Sequence, residues 1–210
     1  MFYSKWEEDG WTFPKIPEFS RGHIDYLPYI MPDSRRLFFG RIEKDENGVV
    51  ISNGLYAIDR NEEKPFAWSE PYLFEDGEGW MHVSATGDLT IYTTYLPTRK
   101  TARFRLIDGS YPQRETPEGG LHPGGHPSIA SDERYIIFDS EREGGFGAGD
   151  LWVCFRNADE TWGKAINLGN KVNTPGNESI PHLTPDGKYL FYTAHRDIYW
   201  VDAKFIEELK

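Results

Sequence analysis

The sequence predicts an all-β protein: a β-propeller of four-stranded antiparallel blades, with about four blades in this chain. The first observation is a tight turn that occurs four times, as M-P-D-S at Met31, A-T-G-D at Ala85, A-S-D-E at Ala130 and T-P-D-G at Thr184. The second is the spacing of these turns, 54, 45 and 54 residues, which indicates a repeated unit of about fifty residues. No long helical pattern competes with the strand pattern.

Strand-like segments follow each turn in a constant order. The second strand of each unit alternates aromatic or aliphatic residues with polar ones, in RRLFFG, LTIYTT, RYIIFDS and KYLFYT. Third strands follow in GLYAID, ARFRLID, DLWVCFR and DIYWVDA. Aromatic residues mark fourth strands at Trp68, Tyr111 and Trp162. The predicted units are therefore 17–74, 75–119, 120–169 and 170–210.

The last unit has no fourth strand of its own. The N-terminus contains the pattern W-x-x-P at Trp11, and the same pattern occurs at Trp68. We therefore expect residues 3–16 to form the outer strand beside IYWVDA and to close the ring, which leaves no open sheet edge. The tryptophans at this repeated position, including Trp162, are interpreted as core residues.

Composition limits the classes of partner. The chain has 210 residues, 38% of them hydrophobic, which is enough for a sizeable core. Its net charge of −11 is spread without basic runs, so neither nucleic acid nor an anionic lipid surface is an expected partner. No apolar stretch is long enough for membrane insertion, and the N-terminus does not resemble a signal peptide. The one cysteine, Cys154, lies in an apolar strand and is interpreted as buried.

Two segments carry a family resemblance. T-P-D-G-K-Y-L-F-Y-T and S-E-R-E-G-G-F-G-A-G-D-L-W resemble the WD40-like PD40 repeats of TolB-type propellers, over roughly Trp11 to Ala203. The chain also resembles an uncharacterised group of bacterial exported propellers, but without their leading segment and first blade. The resemblance implies a propeller fold and a periplasmic or cell-envelope location. Some TolB-like propellers are glycan lyases that use channel histidines and a metal.

One aligned position predicts a ligand site at the mouth of the channel. Three residues before Pro28, Met81, Pro127 and Pro181 stand Asp25, Glu78, Gly124 and Glu178, a partial acidic ring. His122 and His126 flank Gly124, and Arg142 and Arg196 occupy equivalent loops on the same side. These residues either bind a small polar or carbohydrate ligand or form salt bridges between blades. On the second interpretation we expect Glu178→Gln to destabilise the fold and Asp25→Asn not to.

Histidines indicate a second group of candidate site residues. One residue after the aligned position stand Tyr29, His82, Ser128 and His182. In a ring of four blades His82 and His182 would lie on opposite blades, where they and Glu78 or Glu178 could hold a divalent metal in the central channel. The alternative is that each histidine bonds a backbone group beside the channel.

The signatures of the common catalytic motifs are absent from the sequence. There is no G-x-S-x-G, H-E-x-x-H, P-loop or dinucleotide fingerprint. We therefore expect a non-enzymatic binding or interaction module, whose partner is a protein or a small polar or carbohydrate ligand. The alternative is a carbohydrate-active enzyme, a glycan lyase or hydrolase, that uses the channel histidines, acids and a metal.

Overall fold

A computed structural model describes residues 1–61, 67–77 and 82–210. Four antiparallel sheets are arranged in a ring, so the predicted four-bladed β-propeller is confirmed. A separate hairpin, β1 (Trp6–Glu7) and β2 (Gly10–Trp11), precedes them. Blades 1 and 2 have four strands each: β3 (Ile24–Ile30), β4 (Arg36–Lys44), β5 (Val50–Asp59) and β6 (Tyr72–Glu75) in blade 1, and β7 (His82–Ala85), β8 (Ile91–Tyr95), β9 (Lys100–Phe104) and β10 (Arg114–Glu115) in blade 2. Blade 3 also has four: β11 (Gly125–Ile129), β12 (Tyr135–Ser140), β13 (Asp150–Phe155) and β14 (Ile166–Asn167). Blade 4 has three in the described residues: β15 (Glu178–Leu183), β16 (Tyr189–Ala194) and β17 (Asp197–Asp202).

Apolar clusters between neighbouring blades form the core. Because side chains alternate between the two faces of a strand, each middle strand contributes to two clusters. In β12, Ile136 and Phe138 pack in the cluster that contains Tyr92 of blade 2, whereas Ile137 packs in the cluster that contains Leu190 of blade 4. A C-terminal 3-10 turn, Ala203–Leu209, adds Phe205 and Ile206 to the second of these clusters.

A repeated hydrogen bond links each inner strand to the next. A side-chain hydroxyl on one blade accepts the backbone N–H of the following blade: Tyr29 from Ala85 at 3.0 Å, Ser84 from Ile129 at 2.9 Å and Ser128 from Leu183 at 2.8 Å. Tyr29, Ser84 and Ser128 are therefore equivalent positions. His182, which directly precedes Leu183, is their counterpart in blade 4.

This equivalence corrects the alignment of His82. In blade 2 the strand pair Ala85 and Ile91 is six residues apart, whereas Ile129 and Ile136 are seven apart in blade 3. The turn of blade 2 is thus one residue shorter than expected. His82 and His126 both lie two residues before the linking serine of their blade, whereas His182 is the counterpart of the serines themselves.

The expectation that residues 3–16 complete the last blade is wrong. Tyr3 instead pairs with Lys15 and Trp6 with Trp11, and blade 4 consists of three strands in the part of the chain described. The segment satisfies its own backbone groups around the turn before Gly10, whose φ of +130° suits glycine. Trp11 is 70% exposed, so it is not a core residue.

The outer strand of blade 4 exposes apolar side chains. Ile198, Tyr199 and Trp200 on β17 are all exposed. Cys154 is fully buried as predicted, and burial raises the pKa of its thiol to about 12. None of the helices among the described residues has the length and apolarity needed to cross a membrane.

Candidate functional site

A cavity of about 250 Å³ lies where the inner and second strands of blades 2, 3 and 4 come together. It is lined by two histidines, four other polar side chains, two aliphatic ones and a glycine: His82, His126, Thr94, Arg99, Asp139, Ser179, Leu96, Ile180 and Gly125. They come from corresponding places in successive blades, which is why the repeat brings them together.

A bulge in the inner strands positions these groups. The register of blades 1, 3 and 4 shifts between Tyr26 and Tyr29, between Gly125 and Ser128, and between Ser179 and His182. Within each shift one residue before a proline has a positive φ: Leu27, His126 and Ile180. Such a bulge redirects a side chain from the sheet, here toward the cavity in blades 3 and 4.

The ring of His126 is held by Asp139. Nδ1 lies 2.6 Å from Oδ2 of Asp139, and the same oxygen accepts the backbone N–H of Ile180 at 3.0 Å. A Cβ at Gly125 would lie 2.5 Å from the Asp139 carboxylate, so only glycine leaves room for this arrangement. Because the carboxylate accepts at Nδ1, the neutral form of the His126 ring has its lone pair on Nε2.

The ring of His82 is buried and neutral. Its Nδ1 lies 3.2 Å from the carbonyl oxygen of Pro127, which can only accept, so Nδ1 carries the proton and Nε2 the lone pair. Burial, followed by the charges of His126 and His182, lowers the pKa of His82 to about 3. The His82 and His126 rings meet edge to face at 5.8 Å between centroids.

Thr94 is the one cavity residue whose buried polar atom has no hydrogen-bond partner within the described ranges. It is 4% exposed and lies directly across the strand pair from His82. At the matching position of blade 4, the hydroxyl of Thr193 is bonded to Ser179 at 2.9 Å. Buried hydroxyls are nearly always paired, so an unpaired Thr94 Oγ1 beside a cavity calls for a partner.

Blade 1 fills the corresponding space with its own side chain. The ring of Tyr26 lies over Gly40, where a Cβ would be 2.2 Å from the ring, and its hydroxyl donates to Asn53 at 2.7 Å. The cavity is therefore a feature of blades 2 to 4.

Two acids of the predicted ring, Asp25 and Glu178, are engaged by groups of the protein itself. Asp25 makes a buried two-pronged ion pair with Arg41 of its own blade, at 2.7 and 3.0 Å. Glu178 is fully buried and accepts the backbone N–H and the hydroxyl of Thr174, at 2.9 and 2.6 Å. Glu78 lies outside the described residues. The acids that are described hold their own blades and loops, and neither is bonded to Arg142 or Arg196.

The other predicted residues are dispersed. Arg142 donates to the carbonyls of Gly120 and Pro123, at 3.1 and 2.9 Å, and so holds the loop before β11. His122 accepts the N–H of Thr101 at 3.3 Å, and burial lowers its pKa. Arg196 is exposed in the two-residue turn between β16 and β17. Of the predicted ligand-binding residues that are described, only His126 lines the cavity.

The structure separates the two histidines expected to bind metal. His82 lies in the cavity, whereas His182 is exposed and faces the ring of Tyr29 at 6.3 Å between centroids. Within the described ranges no group of three or more histidine, cysteine or acidic residues is arranged to hold a metal ion. Metal binding that involves Glu78 stays a prediction.

Sequence reasoning missed Thr94 and Asp139. Both occupy the same position of the second strand, and each lies beside another buried polar residue, Thr93 or Ser140, near the end of the strand. Two consecutive buried polar residues at the end of a core strand are the signal that could have indicated them.

Comparison with solved structures supports the fold. TolB from Acinetobacter baumannii is similar over 84% of this chain and 40% of its own, with 14% identity and a TM-score of 0.55. A candidate 6-phosphogluconolactonase from Bacteroides fragilis matches over 96% of this chain and 60% of its own, with 16% identity and a TM-score of 0.52. A second, from Bacteroides uniformis, matches over 95% and 59%, with 16% identity and a TM-score of 0.53.

The protein thus has a TolB-like β-propeller fold. It spans less than two thirds of each of these structures, and at such low identity the likeness shows the fold alone. No protein-family model and no curated protein matches the chain.

Proposed function

We propose that the protein is a binding module that takes a small ligand into the cavity of blades 2 to 4. The observation that supports this most is the buried, unpartnered hydroxyl of Thr94 beside the His82 and His126 rings. A cavity with a few converging polar groups and apolar walls is the usual form of a small-molecule site.

The position of the cavity within the repeat supports the same proposal. His82 and His126 each lie two residues before a serine that links the blades, and their Nδ1 atoms are bonded to Pro127 and Asp139. Each ring is therefore oriented before any ligand arrives, and preorganised groups lose little entropy on binding. Asp25 and Glu178, in contrast, are satisfied within the protein, so the acidic ring is not part of the proposed site.

A fragment screen by aromatic NMR tests the proposal. The chain has six histidines, so the imidazole signals of His82 and His126 can be assigned from single variants. We expect hits from a library of neutral, acidic and basic fragments to shift these two signals together. The signal of the exposed His23 should not move.

A matched pair of variants supplies the control. Ile180→Phe puts a larger side chain into the cavity, and we expect it to abolish the shifts. Leu27→Phe makes the same kind of change at the equivalent bulge of blade 1, which the cavity does not reach, and should leave the shifts unchanged. A library that yields no shift at His82 and His126, or shifts that persist in Ile180→Phe, would overturn the proposal.

A further inference from the structure

We infer that the cavity selects a small, neutral ligand rich in hydroxyl groups, of the size and chemistry of a monosaccharide or cyclic polyol. This inference rests on the proposed function and names the ligand class of the same site. The inference follows from three properties of the cavity: its hydrogen-bond donors and acceptors, its charge, and the aliphatic side chains of its walls.

The two histidines supply acceptors to the cavity. His82 and His126 have their Nδ1 protons engaged by Pro127 and Asp139, so each ring in its neutral form offers Nε2 as an acceptor. Thr94 adds a hydroxyl that can donate as well as accept. A ligand hydroxyl can donate to an imidazole and also accept from Thr94, whereas a carbonyl or ether oxygen can do only the second.

The charge of the cavity disfavours anions. The Asp139 carboxylate is part of the lining, and the Arg99 guanidinium, which is also part of it, already faces Glu141 at 3.3 Å. The net charge of the whole chain, −11, acts in the same direction. A carboxylate or phosphate ligand would therefore have to lose its hydration without gaining an unpaired cation.

The cavity is also unfavourable for cationic ligands. Oδ2 of Asp139 already accepts from His126 and from the backbone of Ile180, so a ligand can reach this carboxylate only through its other oxygen, Oδ1. Since a desolvated ammonium needs a paired and hydrogen-bonded countercharge, the cavity favours a neutral group instead.

The walls and the volume fit a compact ring. Leu96 and Ile180 contribute aliphatic surface that can pack on the C–H face of a sugar. The volume of about 250 Å³ corresponds to roughly eight water molecules at about 30 Å³ each, which is room for a single ring and not for an oligomer lying fully inside.

The test compares probes of equal size and different charge on the full chain. Glucose, galactose, mannose and myo-inositol are the neutral probes, glucuronate the anion and glucosamine the cation. Binding is measured by saturation-transfer NMR at pH 7.5, together with the His82 and His126 imidazole signals. We expect at least one neutral probe to bind and shift both signals, with glucuronate and glucosamine at least tenfold weaker.

Two neighbouring threonines give a matched pair of variants. Thr93 and Thr94 are both buried with unpartnered hydroxyls, but only Thr94 lines the cavity. Thr94→Val should weaken the neutral probe by about three- to tenfold, the size expected for one hydrogen bond. Thr93→Val should bind it as the wild type does, so a general effect of removing a buried hydroxyl is controlled.

The outcomes separate the ligand class from the proposed function. If glucuronate or glucosamine binds at His82 and His126 more tightly than every neutral probe, the inference is overturned and the binding module stands. The inference also fails, with the binding module intact, if fragments bind there but no sugar or inositol does, or if a neutral probe binds equally to Thr94→Val. A fragment library without any hit at the two histidines overturns the proposed function itself.

Discussion

His82 and His126 each lie two residues before a serine that links adjacent inner strands, and their rings meet at 5.8 Å between centroids. One is fixed by the carbonyl of Pro127 and the other by the carboxylate of Asp139. The pair shows how a repeat can assemble a site: a residue type used twice at the same distance from an equivalent serine produces two neighbouring groups.

Burial of His82 predicts a loss of stability in acid. Its pKa is lowered from 6.5 to about 3, so between these values the unfolded chain binds a proton that the folded chain does not. The free energy of unfolding should therefore fall as the pH falls from 6.5, by up to about 1.4 kcal/mol per pH unit. His82→Asn keeps a donor for Pro127 but cannot be protonated, and should flatten the profile.

Urea unfolding from pH 7 to pH 4 measures this effect. His23→Asn is the control, because His23 is exposed. Equal slopes for wild type and His82→Asn would show that His82 does not carry the acid sensitivity.

Asp139 predicts an unusual difference between two substitutions. Both of its described hydrogen bonds, from His126 and from the backbone of Ile180, go to Oδ2. Asn can present one oxygen in the same place, so Asp139→Asn should keep much of the stability. Asp139→Ala leaves a backbone N–H unpaired and should cost about 1–3 kcal/mol.

The comparison is made by urea unfolding at pH 7.5, with the exposed Asp76→Ala as control. A cost for Asp139→Asn as large as that for Asp139→Ala would mean that the charge, and not the two hydrogen bonds, is what matters.

The fold was readable from the sequence because strands and turns are local patterns. The period-two pattern and the repeated turn predicted the first three strands of each blade. The strand that pairs with the W-x-x-P segment at Trp11 could not be predicted. Hairpin pairing at Gly10 competes with pairing to β17, and the sequence pattern does not show which of the two is more stable. A repeat shows that a segment resembles another, not what it pairs with.

The site was less predictable than the fold, for two reasons. The alignment of blade 2 that equates His82 with His182 is displaced by two residues, of which the shorter turn accounts for one. Asp25, which looked like a ligand, is instead neutralised by Arg41, a cross-strand partner whose identity depends on strand register. Register errors of one residue move a side chain to the other face of a strand.

The serines of the inner strands should be structural. Ser84 and Ser128 accept backbone N–H groups of the next blade, and both are buried. Replacing either by Ala leaves a buried donor unpaired and should cost about 1–3 kcal/mol in the free energy of unfolding. Ser131→Ala, in an exposed turn, is the control. If Ser84→Ala and Ser128→Ala unfold at the control's urea midpoint, the hydroxyl contacts do not lock the blades.

The structure reverses the expected order of two acid variants. Asp25→Asn leaves the guanidinium of Arg41 buried without its countercharge and should cost about 3–5 kcal/mol. Glu178→Gln keeps an oxygen and an amide beside Thr174 and should cost less. Asp59→Asn, which breaks a half-exposed pair with Arg36, is the control and should cost about 1 kcal/mol or less. Thermal melts that rank Glu178→Gln as the more damaging change would restore the original expectation.

Two tryptophans that the sequence assigns to the same repeat position should behave in opposite ways. Trp162 is 2% exposed and packs in the cluster between blades 2 and 3, so Trp162→Ala should cost about 3–5 kcal/mol. Trp11 is 70% exposed and touches mainly Trp6, so Trp11→Ala should change the free energy of unfolding by about 0.5 kcal/mol or less. Urea unfolding followed by circular dichroism measures both without relying on tryptophan fluorescence. A loss at Trp11 comparable to that at Trp162 would mean that the N-terminal segment packs on the propeller in solution, because only burial of the indole could produce a cost of that size.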